Sequence, residues 1–288
     1  MLKFAILNKD MFLKRKNNSG QAVLVVLLSL SVVLIIVLYI MSRSITDISL
    51  SSKEEDSMRA FSAAEAGIER ALVIGSDIGN TTIGDASFSA DVSSFAQGAN
   101  KMVYPISLKS GGIATFWFSR PSEPIFTGNQ VKLCWGALGT SSSTAETPAI
   151  LVTVFYKSSG KYKVARVTLD PNSSRTANNN FSSASSSSCT IDAETFQFQN
   201  TVNFASLGIN GSDVLQYMTT KSLYNTSLAH KIGIDVTSGS SLLPSQGVKV
   251  NSDGSFADSN RSIEVYQLHA VVPSVFMNEI YSSSGIVK

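Results

Sequence analysis

An α+β chain, a long N-terminal helix followed by a mainly antiparallel β-rich head, is predicted by three features of the sequence. Twenty largely apolar residues, Ala22 to Met41, run without a charge, and a helix-compatible but polar stretch follows them as far as Ile74. Beyond residue 76 the pattern changes to short runs rich in Val, Ile, Phe, Tyr and Thr, separated by Ser, Gly and Asn.

The apolar run comes first. At about 1.5 Å per residue a helix of that length covers roughly 30 Å, the thickness of a bilayer's hydrocarbon core. Ser29, Ser31 and Tyr39 are its only polar interruptions. The two hydroxyls can bond back to the helix, and the tyrosine sits where an interfacial aromatic would lie. Lys3, Lys9, Lys14, Arg15 and Lys16 precede the run against a single Asp10, so the positive-inside rule keeps the N-terminus in the cytoplasm and the rest of the chain outside. A single-pass cytoplasmic-membrane protein in contact with lipid is the expectation. An ordinary cleavable secretory signal has a shorter apolar core followed by small residues, whereas Met41, Ser42, Arg43 and Ser44 follow here.

From residue 42 to 75 the helix continues as an amphipathic segment. Ser51 to Ser57 is polar on every face and suits the solvated gap above a membrane, with Glu55 and Arg59 at a favourable i,i+4 spacing. Met58, Phe61, Ile68 and Leu72, with Ala64 between them, form the stripe expected to dock on the head. Gly75, Ser76, Asp77 and Gly79 end the helix.

Residues 76–288 form the head. Expected strands are Met102 to Leu108, Ile113 to Phe118, Val131 to Trp135, Ile150 to Tyr156, Tyr162 to Leu169, Thr195 to Phe204, Lys231 to Val236, Val248 to Asn251 and Ser262 to His269. Lys157 to Lys161 reads as a hairpin turn. About 210 residues can bury a real core, either in one elaborated sheet domain or in two lobes divided at the Ser- and Asn-rich stretch 171–188.

Composition excludes several function classes. The chain has 23 basic and 21 acidic side chains, but the first twenty residues hold five of the former and one of the latter, leaving 18 against 20. Net basicity therefore serves topology, and no nucleic-acid partner is predicted. Lys157, Lys161, Lys163 and Arg166 read as a solvated hairpin. His230 and His269 are the only histidines and lack spaced Cys or Glu neighbours, so no metal site and no cofactor are expected. The Ser158 to Lys161 match to S-x-x-K lies between two strands rather than at a helix start, and phosphate-loop, nucleophile-elbow and dinucleotide motifs are missing. Asn251 to Asp258 reads as an Asp-Gly turn rather than a calcium loop. No enzymatic activity is expected. Cys134 and Cys189 are the only cysteines, both on the expected outer side. They are either two free thiols or a disulfide, which would close a loop of about 55 residues and contribute roughly 4 kcal/mol.

Two motifs carry a resemblance. A short basic leader (residues 1–20), Gly20, and an uncharged helix starting at Gln21 resemble the leader of type IV pilins and pseudopilins, which a prepilin peptidase cuts after the glycine. The resemblance implies that Gln21 becomes the first mature residue and that the helix stays on the protein; a start at Met11 instead of Met1 keeps Lys14, Arg15 and Lys16. Further on, Arg59 to Leu72 (RAFSAAEAGIERAL) resembles minor pilins of the PilX type, with Phe61, Ala63, Ala64, Glu65, Ala66 and Gly67 as the helix and assembly residues. Gln246 to Val265 is similar to a closing hairpin of such proteins. One position departs from the major-pilin pattern: the fifth mature residue, usually a glutamate that pairs with a neighbour's N-terminal ammonium, is Val25. Its absence resembles the tip-located K-type pseudopilins.

The implied function is structural: a minor pilin or pseudopilin of a type IV pilus-like filament, its head contributing to the tip or the surface. Its partners would be other pilins through the N-terminal helix, the prepilin peptidase, the pilus assembly platform and membrane lipid. The alternative is a permanently anchored surface-binding protein or adhesin that never enters a filament.

Overall fold

The computed structural model describes residues 19–123, 125–237 and 241–271. The leader residues up to Asn18, including Lys14 to Lys16 and the choice between Met1 and Met11, lie outside the described residues.

One continuous helix, α1 (Ser19–Ile74), carries both expected segments. Its first half touches nothing. Every large apolar side chain from Val23 to Met41 is exposed, from 47% at Val37 to 66% at Leu30. Mean hydropathy reaches 3.3 there, and among the described residues this is the one helix long and apolar enough to cross a membrane. The two serines of the apolar run 22–41 are satisfied within the helix: Ser29 Oγ donates to the Val26 carbonyl at 2.9 Å and Ser31 Oγ to the Leu27 carbonyl at 2.8 Å. The helix ends where Gly75 takes φ +74° and its N–H bonds the Ala71 carbonyl at 2.7 Å.

The β-rich head has three sheets. Strands β1 (Ile78–Ile83) and β2 (Ala86–Phe95) join the hairpin of β13 (Gly247–Phe256) and β14 (Ser259–Leu268) in a four-stranded sheet of order β1-β2-β13-β14. The second sheet contains β3 (Lys101–Val103), β5 (Gln130–Ala137), β9 (Cys189–Ile191), β10 (Glu194–Asn203) and β12 (Ile232–Asp235), in the order β3-β12-β5-β10-β9. The third contains β4 (Ile113–Trp117), β6 (Ala149–Ser158), β7 (Lys161–Asp170), β8 (Ser182–Ser183) and β11 (Val214–Leu223), in the order β4-β11-β6-β7-β8. Every pairing is antiparallel except the two-residue contact of β8 with β7. The two five-stranded sheets share one core, with Leu133, Trp135, Phe198 and Ile234 from one and Phe116, Val152, Val154 and Met218 from the other. Alternation along the strands builds it, since every second residue of a strand points to the same face.

Several expectations need correction. The Lys157 to Lys161 turn is as expected, with Ser159 and Gly160 both at positive φ, but the turn expected at Asp253-Gly254 is not there. Strand β13 runs straight through both residues, and the reversal falls at Ala257 (φ +47°) and Asp258. The strand expected to run to Leu108 stops at Val103, just before Tyr104 and Pro105. Leu108 then makes an isolated bridge to His230 through bonds of 2.8 and 2.9 Å. Strands β1, β2, β8, β9 and β11 were not expected. Serine fills much of β2, and a register shift between Leu215 and Tyr217 interrupts the alternation in β11.

The stretch 171–188, expected as a linker, is anchored, and strands on both sides of it in sequence share the main core. It holds the short helix α2 (Ser173–Asn179), capped by Asn172 Oδ1, which accepts the Ser174 N–H at 3.1 Å. Arg175 donates to both Asp170 oxygens at 3.0 and 2.8 Å, and to the carbonyls of Ala145 and Thr147 at 2.9 and 2.7 Å. Its guanidinium also lies 3.9 Å from the Tyr224 ring centroid. A planar five-donor group is what lets one side chain hold that many acceptors.

Candidate assembly surface: the long helix and its seat

The lower part of α1 sits on the four-stranded sheet by its smallest residues. Ala60, Ala64, Gly67 and Ala71 are buried at a spacing that alternates four and three along one helix face, and Ala63 is buried beside them. Ile68, Phe88, Ala90 and Val250 complete this second, smaller core, with Val92, Val248, Ile263 and Val265 packed around it.

Two glycines set the distance of approach, one on each partner. A Cβ at Gly67 would overlap Ser252 Oγ and stand 2.9 Å from Phe88 Cδ2. A Cβ at Gly254, in the middle of β13, would overlap the Ala60 carbonyl oxygen and stand 2.5 Å from the Ala64 nitrogen. Strand backbone and helix backbone are thus in direct contact. The residue read as a turn glycine is there for space, because its φ is not positive.

Polar contacts frame this seat. Arg261 Nε donates to Ser57 Oγ at 2.7 Å, and Ser252 Oγ donates to the Ser89 carbonyl at 3.1 Å. Arg59 pairs with Glu55 at 2.7 Å and lies 4.8 Å over the Phe256 ring. Exposed on the helix, the Arg59–Glu55 pair contributes about 0.3–0.5 kcal/mol.

The site residues named from sequence fall into three groups. Ala63, Ala64 and Gly67 are in the seat, and Ala66 is half-buried beside it. Phe61 (46% exposed) and Glu65 face away from the sheet. Gly20 and Gln21 lie in the first turns of α1, and Val25 is exposed on the apolar half. The docking stripe is as expected at Ala64, Ile68 and Leu72, which pack on the sheet, and differs at its other two residues. Met58 and Phe61 stay outside, because side chains of that size would hold the helix away from Gly254. Met58 instead lines an open 450 Å3 groove with Ser62, Ile83, Ala86 and Phe256. Sequence reasoning missed Gly254 as the counterpart of Gly67. The available signal was a glycine at an alternating position between β-like runs, which marks close backbone approach as readily as a turn.

Elsewhere in the head Cys134 on β5 and Cys189 on β9 form a disulfide with Cα atoms 6.0 Å apart, buried with Ile191 and Phe196. His230 is buried. Its Nδ1 accepts the Ala137 N–H at 3.1 Å, and desolvation pushes its pKa below the usual value. Desolvation also lowers His269, with a smaller contribution from Arg120. Glu146 is pulled down to about 2, first by the Ser227 N–H and then by the Thr226 and Ser227 hydroxyls. Among the described residues no three His, Cys, Asp or Glu side chains converge as a metal site. No family model, curated protein or solved structure matches this chain.

Proposed function

We propose that this chain is a minor subunit of a type IV pilus-like filament. The peptidase removes the leader after Gly20, residues 22–41 hold the protein in the cytoplasmic membrane, and the same apolar surface then joins a bundle of similar helices. No chemical step is required of the head.

One observation supports this reading above the others. A single 56-residue helix leaves its apolar half bare on every side, while its other end is fastened to the head by backbone contact. A helix that is apolar all round needs lipid or other helices about it. Its rigid seat makes anchor and head one body that can pass from the first setting to the second. The basic stretch before that helix, Gly20 in its first turn, and Val25 at the fifth mature position support a processed, non-major subunit.

Shearing filaments from cells that express the chain, followed by detection of the head, tests the reading. The chain is expected in the sheared fraction, at low abundance, and only when the assembly platform is intact. A chain that stays wholly with the membrane would instead be a permanently anchored surface protein.

A further inference from the structure

The third sheet turns one face away from the core, and that face combines aromatic rings with cations. Trp117, Tyr217, Phe155 and Val164 lie side by side across β4, β11, β6 and β7 in direct register. Phe155 and Tyr217 stack at 4.3 Å, and Trp117 meets Tyr217 at 5.1 Å. On one side of this row Lys157 stands opposite Tyr162, which is 76% exposed, with the ammonium 5.8 Å from the ring centroid. On the other side is a row of Thr115, Thr219, Thr153 and the exposed Arg166. Trp117, Tyr217, Phe155, Tyr162, Val164 and Gln216 line a 360 Å3 depression.

Charge on this sheet is segregated. Strands β4, β6, β7 and β11 carry Lys157, Lys161, Lys163, Arg166 and Lys221, but only one carboxylate, Asp170, which is buried and held by Arg175. Asp213, just before β11, is the nearby carboxylate that attracts Lys163. The chain beyond Gly20 has more acidic than basic residues, so a cationic sheet is a local feature with a field of its own.

We propose that this face binds an acidic polysaccharide, a chain of pyranose rings bearing carboxylates. Lys157 and Arg166, the exposed cations on this face, complement the carboxylates, and the exposed Tyr162 ring offers an apolar face to one sugar. Gln216 provides an amide for sugar hydroxyls. Single-stranded nucleic acid fits less well. Successive bases need successive open rings, and here Tyr217 is already flanked by Phe155 and Trp117. The inference rests on the sheet and not on the filament reading.

The test is binding of the detergent-solubilised full chain to immobilised polygalacturonate, with dextran and an oligothymidylate as comparison probes. The unaltered chain is expected to bind polygalacturonate in a salt-sensitive manner, at least about tenfold more tightly than the oligonucleotide, and to ignore dextran. Lys157→Glu with Arg166→Glu is expected to weaken binding about tenfold, and Tyr162→Ala about fivefold. Lys157→Gln with Arg166→Gln serves as the milder pair, and melting curves check the fold of each. No binding by the unaltered chain at low salt, binding unchanged by these substitutions, or tighter binding of the oligonucleotide would overturn the proposal.

Discussion

A methyl group at Gly254 would press on the backbone of α1, which cannot step aside, whereas one at Gly67 would press on the Ser252 and Phe88 side chains, which can. Gly254→Ala is therefore expected to destabilise the helix seat by about 1–3 kcal/mol. Gly67→Ala should cost less, since alanine recovers about 1 kcal/mol of helix propensity. Hydrogen exchange of Ala60 to Ala71 reads both. Arg175 makes a second residue-scale prediction. Arg175→Ala leaves Asp170 buried without its cation and is expected to lower stability by about 3–5 kcal/mol in denaturant titration. The lysine variant should recover only part, because one ammonium cannot span both carboxylate oxygens and two carbonyls. Acid acts through His230 and Glu146 in the same direction. His230 has a depressed pKa in the fold, so the unfolded chain binds its proton more readily. The stabilising contribution is intact above about pH 6.5 and is lost as pH falls below that toward the folded value. Glu146, at about 2 in the fold, contributes above its ordinary carboxylate pKa and loses that contribution as pH falls toward about 2. The melting temperature should be flat near neutrality and fall on acidification. His230→Asn, which keeps an acceptor for the Ala137 N–H, should flatten the upper part of that fall.

At the scale of elements, α1 divides into a bare apolar half and a seated half, and the two respond to different substitutions. If the apolar half spans a bilayer as proposed, Leu30→Arg places a charge near its middle at a cost of about 2.5–3.5 kcal/mol, and is expected to reduce membrane retention in carbonate extraction while leaving the head's melting unchanged. The helix, most of the longer strands and the Ser159-Gly160 turn were legible because each follows a period of 3.6 or 2 or a local turn rule. The contact surface of the helix was legible in part: Ala64, Ile68 and Leu72 pack on the sheet as the stripe predicts, and the small residues around Gly67 do so with them. Hydrophobic periodicity also pointed to Met58 and Phe61, but the sheet selected the small-residue face, since approach distance depends on Gly254 some 190 residues away. Segment 171–188 was misleading for a similar reason. Its composition is poor in apolar residues, yet one arginine with five hydrogen-bond donors and its buried aspartate partner hold it in place.

At the scale of the whole molecule, a helix bare along its apolar half continues into a head with one core beneath the helix, one between the two larger sheets and a small third cluster around the disulfide. Reduction of Cys134–Cys189 releases a span of 55 residues and is expected to lower the head's stability by about 2–5 kcal/mol in denaturant titrations with and without reductant. The proposed partners were the least legible property, because the surfaces that would meet them are, in one chain, simply exposed. The central claim concerns a covalent event at the junction of leader and helix. N-terminal sequencing of the membrane-extracted protein, from cells with and without the host's prepilin peptidase, reads that event directly. A terminus at Gln21 that appears only with the peptidase is the expected result. An intact leader in both samples would contradict the pilin reading and leave a permanently anchored surface protein in its place.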